Sequence, residues 1–461
     1  MYLDLSMFTF WITLLFIAIV IGVLQGTCGY LTLLERKIAA WAQDRIGPNR
    51  VGPLGLLQPL VDGAKFLLKE EVIPTRVDKL FYLLAPGIAL ATATLAFAVV
   101  PFGQTSTPPV LKDYRAALAE PDKDKSAELA KKALPIWPQT ETEMQEVLAA
   151  EQRYIVKEKA ANPAFDMKPY PERLKDYNDQ TQFVIAPHVD VGIVWLFAIS
   201  SLAVYAIVLG GWSSNNKYAF LGSLRASAQL ISYEIPLGMS VLGVMLLTGS
   251  LNLERILDYQ YDNGWNILFQ PLAALLFVTS VFAECNRMPF DLPECEQELV
   301  GGYHTEYGAL KFGLFMLGEY THMITTSFLV AILFFGGWHL PGLTKANDFS
   351  TTAMILKVVV LGGKMALFIL FYMVVRWTIP RFRFDQLMGL AWKVMMPLAL
   401  ASLVCVLFVK HFELSPWTLL PLSILILVGG AWLTLQLPKP PGKIILNVRG
   451  PGTPNPLGVT R

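Results

Sequence analysis

Charge is scarce in this 461-residue chain: Asp, Glu, Lys and Arg make up 16% of it, against about 25% in an ordinary soluble domain. Beside a 54% hydrophobic content, that shortage excludes a water-soluble globular protein. No sign of charge dominates, since 37 basic and 36 acidic residues leave a net +1. Neither a basic field for nucleic acid nor an acidic tail is present. Cysteine is also rare: Cys28, Cys285, Cys295 and Cys405 are widely scattered and form no C-x-x-C, which removes iron–sulfur, zinc-finger and thioredoxin-like sites. The five histidines form no H-x-x-x-H pair. No strand-like stretch carries a G-x-G-x-x-G or a P-loop, so the chain alone is expected to bind neither a nucleotide nor a redox centre. Any electron-transfer chemistry belongs to partners.

What the sequence does contain is long apolar runs, near 8–34, 80–101, 188–211, 226–249, 267–284, 310–337, 353–378, 389–409 and 416–437. A bilayer core is crossed by roughly 20 apolar helical residues. The expectation is an all-α polytopic integral membrane protein, a single membrane domain over 1–461 with about nine transmembrane helices and amphipathic helices on its inner side. No basic segment precedes the first run, which is longer than a signal-peptide core; it reads as a retained helix. Basic residues set the orientation: Lys217 and Arg225, then Arg376, Arg381, Arg383 and Lys393, then Lys439, Lys443, Arg449 and Arg461 alternate with loops that carry only Arg255, Lys345 or Lys410. The amino terminus is expected outside and the carboxyl terminus inside.

Residues 102–187 interrupt this plan with Lys, Glu, Ala and Pro. The segment reads as a hydrophilic insertion on the outer side, with 112–132 and 141–160 suited to solvated helices and prolines breaking them up. Solvated elaboration suits it better than a docking module.

The inner connection 35–79 combines turn residues Gly47, Pro48, Gly52, Pro53 and Gly55 with an amphipathic run through Leu60, Val61, Ala64 and Leu67, suited to lie along the membrane interface. Its charges include Glu35, Arg36, Arg45, Asp62 and Lys65. Such a set can hold a polar headgroup or a partner protein, or simply anchor the chain by snorkelling. Further on, Arg225, Gln229 and Tyr233 recur at i, i+4 and i+8 with Glu234 beside them. A carboxylate inside a span costs about 2.5–3.5 kcal/mol on insertion scales and therefore faces a partner, water or a cavity.

The inner loop 285–308 is acidic where the orientation rule expects basic residues. Asp291, Glu294, Glu296 and Glu298 crowd into eight residues, with Arg287 the nearest cation; mutual repulsion makes such a cluster a proton store. Glu284 closes one span, Glu306 precedes the next, and Lys311, Phe315, Glu319 and His322 share one helical face. Lys364, in the middle of a later span, calls for a partner.

In this order, the blocks ERKIAAWAQDRIGPNR, SNNKYAFLGSLRASAQLISYE, AECNRMPFDLPE with ELVGGYHTEY, and PRFRFDQLM closely resemble the H-subunit family of bacterial NADH-quinone oxidoreductase, whose mitochondrial counterpart sits in respiratory complex I. The resemblance covers most of the chain outside 102–187. Departures are Cys285 and Cys295, where the family usually has small or hydroxylated residues, and the length of the insertion. The resemblance implies a membrane anchor subunit of a proton-translocating NADH:quinone oxidoreductase, with no redox centre of its own, in the inner (plasma) membrane. Quinone is the implied substrate, and FMN and iron–sulfur clusters are expected only in partners. Those partners are hydrophilic quinone-site and iron–sulfur subunits and small membrane subunits of the pumping arm. By the same resemblance Arg36, Arg45, Asp62, Lys65, Tyr233 and Arg287 border the quinone chamber. Glu35, Glu234, Glu284, Asp291, Glu294, Glu296, Glu298, Glu306 and Glu319 belong to a chain of carboxylates that couples quinone reduction to proton translocation.

Overall fold

The computed structural model describes residues 7–105, 109–132, 140–162, 165–179, 183–186, 189, 191–291, 300–344 and 350–436. Its helices, in chain order, are α1 (Met7–Ala42), α2 (Gln58–Leu68), α3 (Lys79–Phe97), α4 (Arg115–Ala119), α5 (Lys123–Lys132), α6 (Glu141–Ala161) and α7 (Tyr170–Asp179). There follow α8 (Gly192–Ser201), α9 (Ala203–Ser213), α10 (Lys217–Thr248), α11 (Leu253–Asn263), α12 (Asn266–Phe269) and α13 (Pro271–Glu284). The last five are α14 (Ala309–Phe334), α15 (Thr351–Thr378), α16 (Phe384–Gly389), α17 (Met396–His411) and α18 (Leu419–Gln436). Each of the nine apolar runs carries helix. Seven are long and apolar enough to cross a membrane, while Pro271–Glu284 and Pro416–Trp432 are shorter apolar helices. The fold is all-α and polytopic.

Local chemistry sets the helix ends. The Asp78 carboxylate accepts from the backbone N–H of Leu80 and Phe81 at the start of α3, and the Asn216 side chain caps α10 through Tyr218 N–H. Both satisfy amides that have no partner within the helix. α10 ends at Gly249, whose φ of 72° suits a residue without Cβ. The third apolar run is broken at Leu202, between α8 and α9, and α16 passes into α17 through a π-helical stretch, Leu390–Met395.

α14 is the central post. Of its most apolar stretch 83% is buried, against 17% for α1, so α1 faces the surroundings and α14 the bundle. Leu237, Val241 and Val244 of α10, Leu272, Phe277 and Val281 of α13, Ile324, Leu329 and Ile332 of α14 and Leu361 and Ile369 of α15 form one core. Lipid tails are as apolar as these side chains, so close backbone approach carries much of the cohesion. A Cβ on Gly222 would lie 2.6 Å from Gly302 Cα, and one on Gly211 would lie 2.3 Å from Ser223 Cβ.

Lys364 of α15 finds a partner of an unexpected kind. Its ammonium donates to the carbonyls of Phe335, Gly337 and His339 at 2.6, 2.8 and 2.8 Å, taking up the ends of a chain that has just left α14.

Within 102–187 lie α4 to α7: α4, α5 and α6 fall on the stretches 112–132 and 141–160 that composition singles out, whereas α7 starts at Tyr170, between prolines expected to break helices. They share a small core of their own: Tyr114 stacks on Tyr154 with ring centroids 4.4 Å apart, packed with Ala117 and Ala130. Fully buried Glu151 pairs with Arg173 and accepts from Tyr170 N–H at 2.9 Å. The roots are stitched together by Phe102 N–H to Phe183 O, 2.9 Å, and Ala186 N–H to Ala98 O, 2.9 Å.

Candidate functional site

The site begins in the glycine-rich connection after α1. Gly47 has φ +74° and Gly55 φ +80°; a Cβ on Gly55 would lie 2.4 Å from the Pro48 carbonyl oxygen, so the turn closes only without a side chain there. Lys37 Nζ ties the turn down by donating to Leu54 O at 2.6 Å. The chain then runs back as α2, seated between α1 and α14, with Pro59 over Gly29 and Phe66 over Gly313. Asp62 reaches back to α1: Arg36 Nη1 donates to it at 2.7 Å and Gln58 Nε2 at 2.8 Å. Leu60, Leu67 and Leu68 of α2 stay exposed.

Between α1, α2 and α14 lies a cavity of about 560 Å³, lined by Glu35, Arg36, Arg45, Asp62, Phe66, Phe312, Met316, Tyr320, Arg376 and Trp377 among others. It combines cations, carboxylates and aromatic faces, the mixture that holds a planar polar ring with an apolar tail. Glu35 is its hub. The Tyr320 hydroxyl donates to Glu35 Oε2 at 2.6 Å, Arg287 Nη1 stands 3.5 Å from the same oxygen, and Arg376 pairs with Oε1. The Arg287 guanidinium also lies 4.2 Å from the Tyr320 ring centroid, where a cation meets the negative face of the ring.

A second cavity, of about 60 Å³ and with room for a few waters, lies deeper in the bundle between α8, α10, α13 and α14. Glu234, Glu284, Glu319 and His322 line it, with Ser200, Ser201 and Tyr303. The two serines immediately before the break at Leu202 serve different helices: Ser200 donates to Glu284 and Ser201 to Glu234. Tyr303 donates to Glu319 at 3.0 Å. Arg287, which faces Glu35 and the Tyr320 ring, is not among the residues that line either cavity. Asp291 is paired with Arg381 at 2.8 Å.

The structure therefore gathers the expected residues into groups. Glu35, Arg36, Arg45 and Asp62 share the first cavity and Glu234, Glu284 and Glu319 share the second, while Arg287, expected to border the quinone chamber, touches the first only through Glu35 and Tyr320. Glu306 stands apart, accepting from Asn216 Nδ2 at 2.6 Å. Lys65 is exposed on α2. Tyr233 lines neither cavity; it is buried and donates to Leu387 O at 2.9 Å. Its stripe neighbour Gln229 latches the acidic loop, donating to Ala283 O and Phe290 O at 2.9 Å each. Glu294, Glu296 and Glu298 lie outside the described residues, as does Cys295. Among the described residues no group of three or more His, Cys, Asp or Glu side chains is placed to hold a metal.

Four residues of these cavities have no role that the sequence assigns: Arg376, Tyr320, Ser200 and Ser201. In the sequence Arg376 marks only orientation. The serines do carry a signal, as adjacent hydroxyls in an apolar span.

A model of the NADH dehydrogenase family matches residues 14–119 and 165–407, leaving out 120–164, where α5 and α6 lie. A Leptospira biflexa protein, named as the H subunit of NADH-quinone oxidoreductase, is 43% identical over 385 residues, 83% of this chain and 89% of its own length. A Cytophaga hutchinsonii protein, named as the first of two such H subunits, is 38% identical over 375 residues, 81% of this chain and 90% of its own. One from Koribacter versatilis, named as a second H subunit, is 38% identical over 405 residues, 86% of this chain and 97% of its own. With three quarters of its length in the family match and relatives covered almost end to end, the chain belongs to the NADH dehydrogenase family, among the H subunits of NADH-quinone oxidoreductase.

Proposed function

We propose that this chain is the membrane anchor subunit of a proton-translocating NADH:quinone oxidoreductase, in which it forms part of the quinone chamber and passes the consequence of quinone reduction to a chain of carboxylates. The 560 Å³ cavity accepts the quinone headgroup, with Arg36 and Arg45 as cationic and hydrogen-bonding partners and the aromatic faces against the ring. The exposed leucines of α2 lie along the membrane interface where the isoprenoid tail enters. Quinone is a substrate here. Electrons arrive from iron–sulfur clusters, and before them FMN, held by hydrophilic partner subunits. Small membrane subunits of the pumping arm receive the proton signal. The chain sits in the inner (plasma) membrane with its amino terminus outside.

The observation that carries this reading is the Glu35 cluster in the first cavity, where Tyr320, Arg287 and Arg376 converge on one carboxylate. When reduction places negative charge or a proton demand in the first cavity, the Glu35, Tyr320 and Arg376 cluster rearranges, and Arg287 transmits the change to Glu319. Glu284 and Glu234, held by Ser200 and Ser201, then exchange protons with it through the second cavity. Asp291, Glu294, Glu296 and Glu298 of the acidic loop and Glu306 supply that chain from the inner side. Moving one charge against a potential of about 150 mV costs about 3.5 kcal/mol, so the coupling must be electrostatically tight.

The test is a photoreactive short-tailed quinone on the whole assembled complex. Crosslinks within 32–66 and 312–320, competed by substrate quinone, are expected. Crosslinks confined to partner subunits would overturn the chamber assignment.

A further inference from the structure

The second cavity has a lining residue that the carboxylate chain leaves without a task. His322 follows Glu319 by three positions on α14 and turns into the same space as Glu234, Glu284 and Glu319. Beyond it lies a third cavity of about 10 Å³, the room of a single water, bounded by Ser200, Glu284 and His322 with apolar Phe197, Phe277 and Leu329. Ser200, Glu284 and His322 thus line both spaces. The Ser200 hydroxyl is taken by Glu284, whereas His322 Nε2 is buried with no hydrogen-bond partner among the described residues. A buried ring nitrogen left open in a membrane span is a feature that packing alone does not call for, since Met or Leu would fill the volume without it. Imidazole differs from every neighbour on this wall in taking a proton at one nitrogen while releasing one from the other. The groups facing it across the two cavities are Glu234 from α10, Glu284 from α13, Glu319 on its own helix and Tyr303.

We infer that His322 carries protons between the Glu319 side of the larger cavity and Glu284 at the wall of the smaller one. This rests on the relay proposed above. It places an imidazole within that relay, between Glu319 of α14 and Glu284 of α13.

The experiment compares His322→Gln, which keeps a polar amide and loses the proton-carrying ring, with Glu284→Gln, both in the fully assembled complex. In His322→Gln, quinone reduction and proton pumping should fall together by roughly ten-fold. The pH profile of the residual rate should move, while NADH oxidation by an artificial acceptor upstream is unchanged. An unaltered rate and profile in His322→Gln, with Glu284→Gln inactive, would overturn the inference and leave the relay standing. A lower rate with an unmoved profile would assign His322 to packing and overturn it equally. If Glu284→Gln itself keeps full coupled activity, the relay reading fails first and takes this inference with it. His322→Asn serves if the Gln variant does not assemble. On the unaltered complex, a redox-induced infrared difference spectrum must contain imidazole bands that move on isotope labelling of histidine; their absence overturns the inference whatever the variants do.

Discussion

The hydroxyl of Tyr320 donates to the carboxylate of Glu35 at 2.6 Å, joining α14 to α1 across 285 residues of sequence. The bond lies at the floor of the larger cavity, where two arginines already compete for the same carboxylate. Tyr320→Phe removes the donor and keeps the ring under Arg287. The assembled variant should show quinone reduction lowered by roughly ten-fold, the worth of one hydrogen bond to a charged group. Steady-state kinetics on the purified complex checks it.

Arg36 and Arg45 line the same cavity from one helix and the turn that follows it. Replacing either by Ala should raise the apparent KM for quinone and weaken headgroup-mimicking inhibitors, because a cationic donor is lost. Upstream NADH oxidation should persist. An equal fall in upstream activity of the assembled enzyme would argue against a local role.

The close approach of α10 to the turn at Gly302 predicts a packing effect without any effect on chemistry. Gly222→Ala places its new methyl 2.6 Å from a backbone atom that cannot yield, whereas Gly238 on the same helix has open space. The first variant should cost about 1–3 kcal/mol, read as reduced yield of assembled complex on a native gel. Gly238→Ala should assemble normally.

His304, in the turn before α14, has its pKa pushed down to about 4 by burial. The folded turn keeps the ring neutral at pH values where the opened turn protonates it, near 6.5. Above about pH 6.5 neither state takes the proton and stability is complete; as pH falls from there towards 4 the opened state gains. Hydrogen exchange in 300–308 should therefore slow less between about pH 7.5 and about pH 5.5 than the intrinsic exchange rate does, and His304→Phe should restore the intrinsic slope. The ring would still pack on Tyr303 and Phe312.

Orientation is open to a direct measurement. Single cysteines placed in 102–187 should react with an impermeant reagent from outside, and ones in 212–224 or after 440 only from inside. Reversed labelling would sink the assignment drawn from basic-residue asymmetry.

Much of this architecture is legible in the sequence because membrane spans announce themselves by length and apolarity, and intramembrane charges by their cost. Glu234 stands out for that reason, and Glu319 for its place on a span, whereas the roles of Glu35 and Glu284, at the ends of spans, come from the family resemblance. What they touch does not stand out. Tyr320 is one residue from Glu319 yet turned about 100° around the helix, so neighbours in sequence serve different cavities. Tyr233 looks like part of a polar stripe, but the hydroxyl ends on Leu387 O, a backbone partner that no side-chain pattern encodes. Lys364 likewise finds three carbonyls instead of a countercharge, since such partners arise where the middle of one helix packs against the frayed end of another.

The interruption at Leu202 has a mechanical meaning. α8 and α9 together form one span, Gly192–Ser213, in which Leu202 keeps helical dihedrals of −67° and −19° while the regular ladder is interrupted just after the two serines that hold Glu284 and Glu234. α9 is wedged by Gly211 against Ser223 of α10 and by Gly210 near Tyr307, while α8 ends at the serines. The consequence is a fastening point: one span is tied to two neighbouring helices at once, Ser200 to Glu284 of α13 and Ser201 to Glu234 of α10, just before Leu202.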